Sequence, residues 1–360
     1  MYTLILKGNI SEDESSMEDF MADFFTHILC ADEILDKIQD RDVKNLIKSN
    51  IKLYHLGAQG PDIFYYNNIL NKEEKKILNN LGDMLHTRET KKFFEESFIY
   101  LKNIKDKYEY QNLLVYLLGF LSHFSLDCAV HPYIYYLTGF YNENDKKTKV
   151  YNSYHKKLEI IIDVLMMKLK KNEKAYKLPT YKLIDNGKSL PLEIETFFQF
   201  IIKKLYDQHI NKKTIGNNYI FMKKYQKLLY DPKNIKKYFV LFTIKLSKST
   251  KYYFYTFYPK RVDRIDYLNL NNNIWRHPVT GEEFTSSFID LFNNGEKQGL
   301  GYINSFLGYL KKEEGDCINI VSDISYLTAL PCSDKREMKF FGIIFQRIKN
   351  NLHKEKLNDK

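Results

Sequence analysis

The nonapeptide HFSLDCAVH places His123, Asp127 and His131 at successive intervals of four residues. At about 100° per residue these three fall within about 80° of arc and stack along one helix face. That face is otherwise lined by Leu and Phe, so three polar side chains there need a buried partner. Left unpaired, each would cost on the order of 1–3 kcal/mol. A metal ion satisfies all three at once. Imidazole and carboxylate ligands suit Zn2+, and fewer than four protein ligands on a metal leave room for a reactive water.

Further residues extend the same chemistry. His155 and Glu159 form a second i, i+4 pair in HKKLE, while His86 stands in GDMLHT, Asp62 in GAQGPDIF and His27 in FFTHILC. The set offers five imidazoles and three carboxylates, enough for two or three zinc ions. Any one of these histidines alone reads as an ordinary core or surface side chain, and HxxxD pairs recur on helices for capping or pairing. Taken together, they point to a metal centre.

The elements that must hold these residues read as helices. From Met21, Phe24, Phe25, Ile28, Leu29, Ile34, Leu35 and Ile38 recur at helical spacing. A loop is expected at 55–62 (HLGAQGPD), then charged surface helices at 72–81 and 88–106. An apolar helix is expected at 109–131, ended by Pro132, and another at 151–171. Further helices are expected at 191–209, 217–230 and 232–257. The run KYYFYTFY at 251–258 has strand propensity but reads as a helix end. NNNIWRHPVTGEEF at 271–284 is turn-rich and precedes a helix starting near Ser286. Residues 1–20 are acidic and patternless and read as an N-terminal extension. Residues 21–345 read as a single helical domain whose metal-site core spans 21–170, and 346–360 as a basic tail.

Composition bounds the rest. A content of 44% hydrophobic and 15% aromatic residues supports a packed core, so wholesale disorder is excluded. Eight prolines and fifteen glycines in 360 residues suit long helices better than a many-turned β sandwich. The net charge of +10 favours phosphate-bearing partners, nucleic acid or an anionic lipid surface. The lysines are nevertheless scattered among Asn, Ile and Tyr, as AT-rich codon usage alone would produce. Cys30, Cys128, Cys317 and Cys332 form no CxxC pair, which excludes a zinc ribbon and a disulfide framework. The first residues lack a basic n-region, a long apolar h-region and a small-residue cleavage site, so a cytoplasmic location is expected. No stretch reaches the roughly 18 uninterrupted apolar residues of a membrane span.

The order His, GPD, His, HxxxD with a following His, then HxxxE resembles the zinc-dependent phospholipase C family. The phrases THILCADEIL, LGAQGPDIFYY, LGFLSHFSLDCAVHPYIYY and HKKLE are similar to an intracellular branch of it, over about residues 21–170. WRHPVTGEEFTSSFIDLF at 275–292 resembles a recurring segment of that branch, and MADFFTHILCADEIL, from Met21, its natural beginning. The resemblance implies an all-α multi-helix bundle, a scaffold also shared by single-strand nucleases with three zinc ions. It further implies that Asp62, His86, His123 and Asp127 hold one zinc, with Asp127 bridging to a neighbour. His131, His155 and Glu159 would hold a second, and His27 a third. Asp62 would also orient or deprotonate the attacking water.

Two departures stand out. Secreted members complete the third site with the amine and carbonyl of an N-terminal Trp, whereas Trp275 is the only Trp here. The Asp127-to-His131 spacing is also shorter than in secreted members. Pro132 is expected to turn the chain directly after His131 and re-aim its imidazole.

The resulting expectation is a zinc-dependent phosphodiester hydrolase acting on a phospholipid or related phosphodiester, with peripheral membrane contact if the substrate is lipid. The alternatives are a nuclease or nucleotidase on the same scaffold and a catalytically silent, metal-stabilised binding protein. GAQGP reads as a tight turn delivering Asp62 into the cleft. IFYY at 63–66 and YIYY at 133–136 read either as an apolar cleft for lipid or nucleobase or as ordinary core. Thr26, Ser122 and Tyr154 read as packing beside the ligands. His55, His209 and His353 read as structural or exposed, and His277 as part of a packed loop.

Overall fold

The computed structural model describes residues 24–67, 71–142, 144–246, 257–312 and 319–346. The proposed extension at 1–20, Cys317, residues 251–256 of the KYYFYTFY run and all but Gln346 of the tail lie outside them. The fold is all-α. In chain order the helices before the site's central element are α1 (Phe24–Lys37), α2 (Arg41–Ser49), α3 (Ile51–Gly57), a 3-10 helix (Gly60–Tyr65), α4 (Lys72–Thr87) and α5 (Thr90–Asn103). The central helix α6 (Lys107–Thr138) is followed by α7 (Val150–Lys171), α8 (Thr180–Leu183), α9 (Leu192–Tyr206), α10 (Lys212–Leu229) and α11 (Ile235–Leu246). A two-stranded antiparallel hairpin, β1 (Trp275–Arg276) and β2 (Glu283–Phe284), precedes α12 (Phe288–Leu310).

Helix α6 is the axis of the bundle, with α12, α3, α1, α7, α9 and α5 packed around it. It starts at Asp106, whose carboxylate accepts from the backbone N–H groups of Tyr108 and Glu109 at 2.8 and 2.9 Å. By length and composition it could cross a membrane, but 94% of its most apolar window is buried inside the protein. All-round apolarity here reflects a helix enclosed by other helices.

Pro132 does not end this helix as its sequence position suggested; α6 continues to Thr138 and stops at Gly139, where φ is +80°. An interior proline costs about 3 kcal/mol. Beyond it, Tyr133, Ile134 and Leu137 are buried, each contributing roughly 1.5–3 kcal/mol. Core packing outweighs the local break.

The segment at 55–62 is likewise helical rather than an open loop. Helix α3 runs through His55 to Gly57, and Asp62 lies in the first turn of the 3-10 helix. Helices α3 and α6 touch through two glycines. A Cβ on Gly57 would lie 2.1 Å from the Tyr116 oxygen, and one on Gly119 2.2 Å from the Tyr54 oxygen. Only bare backbone fits at that crossing. Helix α4 is longer than expected and carries His86 in its last turn.

The chain beyond α12 returns across the bundle. The Tyr326 N–H donates to the His86 carbonyl at 2.9 Å, and the Gly342 N–H to the Tyr136 carbonyl at 2.7 Å. One cluster of buried apolar side chains extends from Phe24 to Phe345.

Candidate metal centre

Five separate elements bring the chemistry-bearing residues to one place. His27 comes from the first turn of α1, Asp62 from the 3-10 helix and His86 from the end of α4. His123, Asp127 and His131 line α6, and His155 and Glu159 line α7. All eight are buried, His155 being the most accessible at 8%.

Asp127 is the hub. Its Oδ1 lies 3.2 Å from His27 Nε2, and its Oδ2 lies 3.0 Å from His123 Nε2. The same Oδ2 is 3.7 Å from His131 Nδ1 and 3.9 Å from His86 Nε2. Asp62 Oδ1 approaches His86 Nε2 at 3.2 Å. A second pole forms where Glu159 Oε1 lies 2.7 Å from His155 Nε2 and 3.9 Å from His131 Nε2. The His27 and His123 rings stack with centroids 4.2 Å apart.

A layer of backbone carbonyls sets the rings. His86 Nδ1 donates to the Gly82 carbonyl at 2.7 Å, His123 Nδ1 to that of Ala58 at 3.2 Å, and His131 Nδ1 to that of Tyr326 at 3.1 Å. A carbonyl only accepts, so each Nδ1 carries the hydrogen and each Nε2 presents a lone pair to the centre. Gly60 permits the close approach of the 3-10 helix: its φ is +51°, and a Cβ there would lie 2.1 Å from His123 Cδ2.

Electrostatics follow from this packing. Burial would raise the Asp127 pKa, but the imidazoles of His123, His131 and His27 hold it well below the usual carboxylate range. Burial opposes ionisation of Glu159 too, and His155 and His131 bring its pKa down to about 2. Burial lowers the His86 pKa, yet the carboxylates of Asp62 and Asp127 outweigh it and leave that pKa raised. Asp127 and Glu159 are therefore ionised and ready to ligate.

Despite these short separations, His86 Nε2, His123 Nε2, Asp62 Oδ1, both Asp127 oxygens, both His155 nitrogens and both Glu159 oxygens are buried without a hydrogen bond. Such atoms would cost about 1–3 kcal/mol each if nothing met them. They gather in three sets whose donor atoms lie within 4.8 Å of one another: His27, His123 and Asp127; Asp62, His86 and His123; His131, His155 and Glu159. Nitrogen and carboxylate donors at this density fit divalent zinc. A family model described as zinc-dependent phospholipase C matches residues 26–225. The chain belongs to the zinc-dependent phospholipase C family. No curated protein and no solved structure matches it.

The family match takes in every donor just described and stops before the 275–292 segment. Yet residues beyond its limit contribute to the centre. Tyr326 fixes His131 through its carbonyl, and its ring packs edge-on against His86, with centroids 5.1 Å apart. Asp163, also unread in the sequence, is fully buried one turn past Glu159. It accepts from the N–H groups of Phe25 and Thr26 at 3.0 and 2.7 Å, and from the hydroxyls of Thr26 and Tyr258 at 2.6 Å each. It thereby caps the helix that carries His27. The ladder His155, Glu159, Asp163 at i, i+4, i+8 was its available signal. Thr26 is thus a tether as well as packing.

Other sequence readings resolve differently. His55 stands outside the cluster, with Nε2 2.8 Å from Asp32 Oδ1. His277 donates from Nε2 to the Thr328 carbonyl, and its Nδ1 accepts from the Val279 and Thr280 N–H groups, so it anchors a packed loop. Ile63, Phe64, Tyr66 and Tyr133 are core rather than an open cleft.

Proposed function

We propose that this chain is a zinc-dependent phosphodiester hydrolase whose substrate is a phospholipid or a related phosphodiester. The observation that carries the reading is the Asp127 carboxylate, buried and reached by the imidazoles of His27, His86, His123 and His131. A carboxylate so placed suits a bridge between neighbouring cations. In this reading Asp62, His86, His123 and Asp127 hold one zinc, His131, His155 and Glu159 a second, and His27, with His123 and Asp127 beside it, a third. When bound, zinc supplies Lewis acidity, drawing charge from phosphoryl oxygens and lowering the pKa of water.

The chain's own residues supply position and proton handling. Asp62 is buried beside His86, where it orients the attacking water and takes its proton as the water oxygen forms a bond to phosphorus. The P–O ester bond on the opposite side breaks, and the leaving alkoxide collects a proton from solvent. The carbonyls of Gly82, Ala58 and Tyr326 keep the imidazoles from turning.

The test combines metal analysis with turnover. Wild type should bind at least two zinc equivalents, and Asp127→Ala should lose most of them. The zinc-loaded chain is then assayed on bis-p-nitrophenyl phosphate, phosphatidylcholine and single-stranded DNA. Hydrolysis of the first two supports the reading, and DNA as the preferred substrate makes the chain a nuclease. Full zinc occupancy without turnover of any of them overturns hydrolysis and leaves a metal-stabilised binding protein.

A further inference from the structure

Tyr135 follows His131 by one helical turn and Asp127 by two, so α6 sets all three on one face. Its ring centroid lies 4.7 Å from that of His155 and 5.7 Å from that of His131. Its neighbours in the YIYY run are engaged elsewhere. The Tyr133 hydroxyl donates to the Tyr267 carbonyl at 2.9 Å, and the Tyr136 ring lies beside Trp275. Unlike the eight donor residues, Tyr135 is only half-buried, and the exposed Phe140 packs on its ring with centroids 5.5 Å apart. Tyr135 thus stands beside His155, the most accessible of the eight donors.

The far end of the side chain faces the charged interior. The carboxylates of Glu159, Asp83, Asp127 and Asp62 all lie near enough to act on the Tyr135 hydroxyl. A phenol carries its hydrogen at neutral pH and serves as an uncharged donor. The Tyr65 hydroxyl, by contrast, donates to Asp83 Oδ1 at 2.7 Å and lies 3.5 Å from His86 Nδ1. No hydrogen bond engages the Tyr135 hydroxyl among the described residues.

Building on the phosphodiesterase reading, we propose that Tyr135 is a substrate-contacting residue that donates its phenolic hydrogen to a phosphoryl oxygen at the His155 side of the metal cluster. A carboxylate-rich cluster repels an anion until cations join it. Once they do, the phosphoryl group is drawn in, and an uncharged donor at that side fixes one oxygen without adding charge. Hydrogen bonds to ionised oxygens are the stronger kind, so removing one should be measurable.

The experiment uses the zinc-loaded full chain and Tyr135→Phe, with inorganic phosphate as the binding probe. The variant should keep its zinc while its phosphate affinity falls about tenfold. Its kcat/KM on bis-p-nitrophenyl phosphate should fall at least as much. Tyr133→Phe, which removes the hydroxyl bonded to the Tyr267 carbonyl, should bind phosphate within about twofold of wild type. Unchanged phosphate affinity in Tyr135→Phe with zinc intact overturns the inference, as does loss of zinc from that variant. A wild type that takes up zinc yet binds no phosphate overturns it too. Phosphate binding that depends on Tyr135 without hydrolysis of any phosphodiester leaves the contact standing and removes the hydrolase reading.

Discussion

His123 Nε2 and Asp127 Oδ2 lie 3.0 Å apart, one turn from each other on α6, and neither makes a hydrogen bond. Two buried groups at that separation without a bond between them are arranged for a third party. Asp127→Asn keeps the shape and removes the charge. It should leave the metal-free chain folded, strip zinc by more than tenfold in affinity, and abolish turnover. Zinc titration followed by inductively coupled plasma analysis checks this. An Asn variant that binds zinc like wild type removes Asp127 from the centre.

Metal removal and pH act through the same atoms. Zinc at 100 times its Kd should stabilise the fold by about 2.7 kcal/mol, and a chelator should withdraw that gain. A zinc-independent melting temperature would count against the centre. The raised His86 pKa sets the direction with pH. In the metal-free chain, its stabilising proton is fully bound below the unfolded value of about 6.5 and is lost as pH rises through the folded value. That same proton competes with zinc. The melting temperature in chelator should therefore fall as pH rises above about 6.5, while the zinc-induced increment grows in the same direction. Calorimetry in two buffers of different protonation enthalpy should show protons released as zinc binds.

Most of the donor set was legible because helices convert spacing into position. His123, Asp127 and His131, and separately His155 and Glu159, had to share a face once their segments were helical. Pro132 misled because its local cost is visible in sequence, whereas the burial of Tyr133, Ile134 and Leu137 that overrides it is not. Tyr326 could not be read at all. It acts through backbone N–H and C=O groups that every residue possesses, from a segment nearly two hundred positions beyond His131. Asp163 lay on the visible ladder, but its partners include backbone N–H groups of a distant helix start and a hydroxyl ninety-five positions away.

Gly60 should tolerate no side chain. Its positive φ already disfavours alanine, and the added carbon would meet the His123 ring at 2.1 Å. Gly60→Ala should lower stability by about 1–3 kcal/mol and weaken zinc binding together. Chemical denaturation with and without zinc separates the two effects. Loss of stability with normal zinc affinity would show that the 3-10 helix can move without disturbing His123.

Asp163 gives the sharpest test of what holds His27. Its carboxylate accepts two hydrogen bonds from the start of α1 and two from hydroxyls, and an amide cannot accept all four. Asp163→Asn should cost about 1–2 kcal/mol in chelator, the usual range for a lost helix cap. If the cap merely supported the helix, zinc binding would be untouched. Because His27 sits in the first turn of α1, the variant should instead bind its weakest zinc equivalent still more weakly, while ions held by His131, His155 and Glu159 remain. Cobalt substitution reads this directly, since the absorption bands of separate ions titrate separately. Cobalt spectra and stoichiometry identical to wild type would confine Asp163 to fold support.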